Sequence, residues 1–227
     1  MIAALLQART GSQRLPNKVL KELPEGSGVS MLARIIRRLK SCQSLDDIIV
    51  VTPDEPCMVI ARKEGVKCSR LIQDKRDVLA EFHHAAKNFN ADTIVRVTAD
   101  CPCISWQLID KIVSIHLEGG VDLTYNRNDN LCRCVEVDGL DTEVFSFEAL
   151  HKTHSLATED SDREHVTRWM YENLKTEMVE CGWYHEKDIK LSVDTQDDFD
   201  RISTIYEELG DDFTMKDLRE YIEKDEK

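Results

Sequence analysis

Ala8-Arg9-Thr10-Gly11-Ser12-Gln13-Arg14-Leu15-Pro16-Asn17-Lys18 follows directly on an apolar run from Met1 to Leu6. The run reads as a short buried strand. Three cations, a glycine, two hydroxyl residues and a proline crowd the eleven residues after it. Gly11 lets the backbone turn sharply and approach a ligand. Pro16 fixes its own φ and drives Leu15 extended. Backbone N–H groups in such a turn, with Arg9, Arg14 and Lys18 around them, make an anion site suited to a run of phosphates. A plain solvated basic loop is the alternative. The GxxxxGK[ST] spacing of a Walker loop is absent, which excludes that class.

From this loop outward, strand and helix patterns alternate. Ser30 opens a helix pattern with Met31, Leu32, Ile35, Ile36 and Leu39 on one face and Arg34, Arg37, Arg38 and Lys40 opposite. Ile48 to Thr52 is a β-branched run bounded by acids and Pro53, as in a buried parallel strand. Glu55–Lys63, Val78–Phe89 and Gln107–Leu117 read as helices. Val66–Ser69, Thr93–Thr98 and Val121–Tyr125 read as strands. The alternation predicts a three-layer α/β/α arrangement around a mostly parallel sheet. Ligands bind such sheets beyond the carboxyl ends of the strands. The 8–18 loop and Ala99-Asp100-Cys101-Pro102 therefore share one edge.

Residues 126–146 break the rhythm, with a turn-rich stretch and two strand patterns, Leu131–Val137 and Glu143–Phe147, around Asp138-Gly139. They read as a β excursion from the core sheet and a dimerisation element. Phe147–His154 and Arg163–Leu174 look helical. Lys190–Val193 reads as a last strand ending at Asp194, and Asp198–Leu209 and Met215–Ile222 as an acidic helical tail. There is no repeat or long linker, so residues 1–227 form one domain.

The net charge is −13, which argues against nucleic acid as a partner. Residues 1–40 alone carry +6, so the cations mark a local anion site. The apolar start is too short for a signal peptide and no run reaches the ~20 apolar residues of a membrane span. With eight cysteines and no secretory signal, the expectation is a cytoplasmic protein with reduced thiols. Cys101-x-Cys103 and Cys132-x-Cys134 have poor spacing for structural zinc, and His83-His84 reads as a surface and a core neighbour.

Asp100 and Asp194 each follow a strand pattern. Strand-end carboxylates beside a phosphate loop suit Mg²⁺, which takes one or two protein carboxylates plus phosphate oxygens and water. A turn or cap role is the bland alternative for either alone.

Ala-Arg-x-Gly-Ser-x-Arg-Leu-Pro-x-Lys at 8–18 resembles the nucleotide-binding signature of sugar cytidylyltransferases such as CMP-Kdo and CMP-sialic acid synthetases. The spore-coat polysaccharide biosynthesis protein F branch resembles it more closely than these synthetases do. Asp47–Thr52, Asp77–Leu79, Val95–Pro102, Asp138–Ser146, Arg163–Thr167 and Leu191–Thr195 resemble the same branch in order, across about 200 residues. The resemblance implies a nucleotide-diphospho-sugar transferase-like (Rossmann-like) fold and transfer of CMP from CTP to a sugar-type acceptor for surface glycan assembly. By it, Ala8, Arg9, Gly11, Ser12, Arg14, Lys18 and Asp77 would hold the nucleotide, Lys18, Asp100 and Asp194 would serve catalysis, and the two aspartates would hold Mg²⁺.

Arg163 and His165 are read as opening a helix, where they would meet an anionic acceptor. Two residues depart from the family pattern: Asn17 replaces the usual Gly, and Glu81 replaces an Arg in Asp-Val-Leu-x-Arg. Glu81 reverses a charge near the nucleotide, which leaves open another base such as GTP, or a non-catalytic nucleotide-binding protein.

Overall fold

Burial of alternating aliphatic strands between amphipathic helices organises the chain. The computed structural model describes residues 1–70, 77–126, 135–185 and 189–225. The strands are β1 (Ile2–Gln7), β2 (Asp47–Val51), β3 (Lys67–Ser69), β4 (Thr93–Thr98), β5 (Leu123–Tyr125), β6 (Val135–Glu136), β7 (Glu143–Ser146), β8 (Thr176–Met178) and β9 (Tyr184–His185). The helices are α1 (Met31–Leu39), α2 (Glu55–Lys63), α3 (Val78–Phe89), α4 (Trp106–Gly119), α5 (Phe147–Leu156), α6 (Asp160–His165), α7 (Arg168–Asn173), α8 (Gln196–Leu209) and α9 (Met215–Asp225).

Seven strands form one sheet in the order β3-β2-β1-β4-β7-β5-β8, with β6 and β9 paired separately. Only β7 runs against its neighbours in that sheet, antiparallel to both β4 and β5. Along β1 the side chains alternate between faces. Ala4 and Leu6 join the core that includes α1, α4 and α8, while Ala3 and Leu5 join the core under α3 and α5. Burying each of the two leucines stabilises the fold by about 1.5–3 kcal/mol. No described helix is long and apolar enough to cross a membrane.

The structure corrects four expectations. Glu143–Ser146 is no excursion; as β7 it lies inside the sheet, so it cannot serve as a protruding dimer arm. Its disguise is the buried Glu143, which faces Arg96 across the β4–β7 register and ion-pairs with it. Tyr171 and Thr167 donate to the other carboxylate oxygen at 2.6 and 2.8 Å. Of the other proposed strand, residues 127–134, Cys132 and Cys134 among them, lie outside the described residues, and Val135–Glu136 pairs with β9. Lys190–Val193 is not a strand of the sheet; it forms only an isolated bridge, Asp138 to Lys190, and bends at Ser192.

The helix expected from Arg163 is two short helices broken at Val166, whose φ is 60°. Finally, Arg34 and Arg38 of α1 are not on a solvent face; they are 6% and 3% exposed. Arg34 donates to the Leu23 carbonyl and pairs with Asp211. Arg38 donates to the carbonyls of Ile104, Asp211 and Phe213.

Candidate active site

β1 and β4 are parallel neighbours, so their carboxyl ends bring the 8–18 loop beside Asp100. The ladder continues past the strands: Ala8 N–H donates to the Val51 carbonyl and Ala99 N–H to that of Gln7. Ala8 is buried there. Asp54, which the sequence reading did not single out, ties the loop down by accepting from the Thr10 N–H at 2.7 Å and hydroxyl at 3.0 Å. Ser12 and Asn17 N–H groups both donate to the Thr10 carbonyl.

Gly11 does not supply the left-handed turn; Asn17 does, with φ 57° and ψ 22°. Asn tolerates that conformation better than most residues. It launches a single 3₁₀ turn, Lys18–Leu20, that carries Lys18 inward until only 9% is exposed. A Cβ added at Gly11 would meet nothing within 4 Å, so this glycine leaves open space.

An open cleft of about 210 Å³ lies here, lined by Gln7, Arg9, Gly11, Ser12, Lys18, Val19, Thr98, Ala99 and Asp100. Lys18 Nζ donates to the Val193 carbonyl at 2.5 Å and lies 3.4 Å from Asp194 Oδ1 and 3.8 Å from Asp100 Oδ2. The two carboxylates, 94 positions apart, thus face one buried ammonium. The Val193 N–H donates to the Asp100 carbonyl and locks the two segments together.

Every loop cation has a carboxylate partner. Arg14 lies 2.9 Å from Asp194, and Arg9 lies 3.4 Å from Glu81. Burial raises the Asp194 carboxyl, but the Lys190 hydrogen bond and the charges of Lys18, Lys190 and Arg14 outweigh it and hold the group below its usual range. Burial raises Glu81, and Arg9 offsets this only in part. Arg9 Nε is buried without a partner.

Lys190 and Asp198 were missed by sequence reading. Lys190 Nζ bridges Asp194 at 3.1 Å and Asp198 at 2.7 Å. Asp198 also accepts from the N–H groups of Asp194 and Thr195, completing a capping box on α8. Thr195-x-x-Asp198 has the spacing that signals such a box.

Asp77, Arg163 and His165 do not line the cleft. Asp77 caps α3 through Ala80 N–H and accepts from Arg163 Nε at 2.9 Å and Nη2 at 2.5 Å. Arg163 also donates to the His154 and Ala157 carbonyls. Both Arg163 and His165 stand in the last turn of α6, not at a helix start, because Asp160 and Asp162 form the first turn. His165 is exposed.

The 8–18 loop, with Asp100 and Asp194 facing Lys18, thus lies at the carboxyl edge of a mostly parallel sheet. Residues 3–225 match the cytidylyltransferase family, and the chain belongs to it. It is 38% identical over 232 residues to an uncharacterised protein of Methanocaldococcus jannaschii, covering 98% of this chain and 89% of that one. It is 27% identical over 221 residues to the spore coat polysaccharide biosynthesis protein SpsF of Bacillus subtilis, covering 92% and 88%. A solved cytidylyltransferase from Leptospira borgpetersenii superposes with a TM-score of 0.87 at 28% identity, covering 99% of this chain and 94% of that one.

Proposed function

We propose that the protein transfers CMP from CTP to an anionic sugar-type acceptor, releasing pyrophosphate, with Mg²⁺ held by Asp100 and Asp194, in the biosynthesis of a surface glycan. The observation that carries this is the convergence of both carboxylates on Lys18 at the end of the phosphate loop. Likeness to the spore-coat protein supports the sugar-type acceptor. The donor set, two hard carboxylate oxygens beside a phosphate cradle, fits Mg²⁺.

An acceptor oxygen bonds to the α-phosphorus as the α–β phosphoanhydride bond breaks. Lys18 and Arg14 neutralise the outer phosphates and the departing pyrophosphate. The Thr10–Asp54 anchor holds the loop's N–H groups in place for that charge. Mg²⁺, when bound, would supply charge neutralisation at the reacting phosphoryl group.

Homodimerisation is part of the proposal, and sedimentation at micromolar concentration tests it. Pyrophosphate release, measured with each of the four nucleoside triphosphates against a panel of sugar acids, sugar phosphates and neutral sugars, tests the whole reading. Release confined to CTP with an anionic sugar is the expected result. Release with GTP instead would reassign the base, and none with any pair would leave a nucleotide-binding protein.

A further inference from the structure

Three cations converge on Asp194. Lys18 and Arg14 approach its Oδ1 at 3.4 and 2.9 Å, and Lys190 approaches Oδ2 at 3.1 Å. They differ in freedom. The Arg14 side chain is 65% exposed and can swing away at little cost, and Lys190 is pinned by Asp198 on the far side. Lys18 is 11% exposed, tethered to the Val193 carbonyl, and among the described residues the one cation that reaches both Asp194 and Asp100.

A divalent ion bound by these carboxylates would sit about 2.0–2.1 Å from their oxygens, inside the space that this ammonium covers. Like charges this close in a partly buried site repel strongly, and Mg²⁺ and the Lys18 ammonium are both positive. The bound triphosphate offers Lys18 another set of anionic partners along the same cleft.

We propose that Lys18 is the stand-in counter-ion of the metal site: its ammonium and the divalent ion compete for Asp100 and Asp194, and the triphosphate settles the competition by drawing Lys18 off the carboxylates. The metal therefore binds weakly to the protein alone and tightly once nucleotide is present. Lys18 thereby acts twice, first as a guard that holds the two carboxylates in place, then as a phosphate ligand. This rests on the assignment of Mg²⁺ to Asp100 and Asp194 made above.

The test is Mn²⁺ binding followed by the electron paramagnetic resonance of free Mn²⁺, on the full chain, with and without a CTP analogue whose α–β bridge is methylene. Wild type is expected to bind Mn²⁺ at least about tenfold more tightly with the analogue, beyond the analogue's own measured affinity for Mn²⁺. Lys18→Met, checked for folding by its melting temperature, is expected to bind Mn²⁺ at least about tenfold more tightly than wild type without nucleotide. Lys18→Arg, which keeps the charge, should stay near wild type.

Equal Mn²⁺ affinity in wild type and Lys18→Met, with binding abolished in Asp100→Asn, would overturn the competition and leave the metal site standing. If Lys18→Met does not fold, the wild-type measurement decides alone: Mn²⁺ affinity unchanged by the analogue overturns the proposal. Mn²⁺ bound by no form under any condition would remove the metal assignment and the competition with it.

Discussion

The Glu81 carboxylate lies 3.4 Å from the Arg9 guanidinium at the inner end of the phosphate loop, and both side chains are largely buried. A reversed charge visible in the sequence has thus become the partner of a loop cation. It offsets the charge that Arg9 presents to the cleft.

Glu81→Gln keeps the shape and removes the charge. Burial raises the Glu81 pKa, so the folded protein holds this proton more readily than the unfolded chain, and stability due to the group falls as pH rises through that raised value. At pH 7 the variant is expected to melt no lower than wild type and to bind CTP severalfold more tightly. Calorimetric melting and CTP titration check this; a lower melting temperature with weaker CTP binding would show that the carboxylate is needed to place Arg9.

Asp100→Asn and Asp194→Asn should each reduce pyrophosphate release about 10³-fold or more, because each removes a ligand to the charge that stabilises the transition state. Circular dichroism should remain native. Near-normal release from either folded variant would end the carboxylate assignment.

His83 stacks on His154 at 4.3 Å, and its Nε2 lies 3.0 Å from His151 Nδ1. Burial, then the neighbouring His154, His151, Lys87 and His84, lowers its pKa to about 4. The unfolded chain therefore takes up this proton first. Stability is fully present above the unfolded value near pH 6.5 and drops as pH falls from there towards 4. The denaturant midpoint should decline over that window, and His83→Phe should flatten the decline. An unchanged slope would assign it to other groups.

Gly139→Ala should cost about 2–4 kcal/mol. At φ 94° the added Cβ would lie 2.5 Å from the Ser192 backbone nitrogen. Urea unfolding measures the loss, and a shift below about 0.5 kcal/mol, the level of an ordinary surface substitution, would show that the two segments separate easily.

Arg163→Lys should lower the melting temperature and weaken CTP and acceptor kinetics together, since Lys cannot reproduce the paired bonds to Asp77 and the two carbonyls. A selective rise in acceptor KM at unchanged stability would return Arg163 to the acceptor site.

Long periodic elements were legible from sequence. Helices α2 and α3 and strand β4 have the bounds that their patterns suggested, the helices from their apolar faces and the strand from its β-branched run buried on both sides. The shared edge of the 8–18 loop and Asp100 was legible for the same reason. The strand pattern of β7 was legible too, but its place inside the sheet was not, because its first residue is a buried acid whose partner lies 47 positions away. The partners of the loop cations were hidden too, since pairing across more than 70 residues leaves no local spacing to read. Val166 conceals a helix break in a residue type that seldom adopts positive φ.

The two buried arginines of α1 carry a consequence for how the chain is made. Arg38 reaches its carbonyl acceptors at residues 211 and 213 and packs on the Phe213 ring. During synthesis α1 must wait, its guanidinium groups still in water, until residues 211–213 have left the ribosome. The segment around α1 cannot mature ahead of them, and a stop after residue 210 would release a protein whose α1 was never finished.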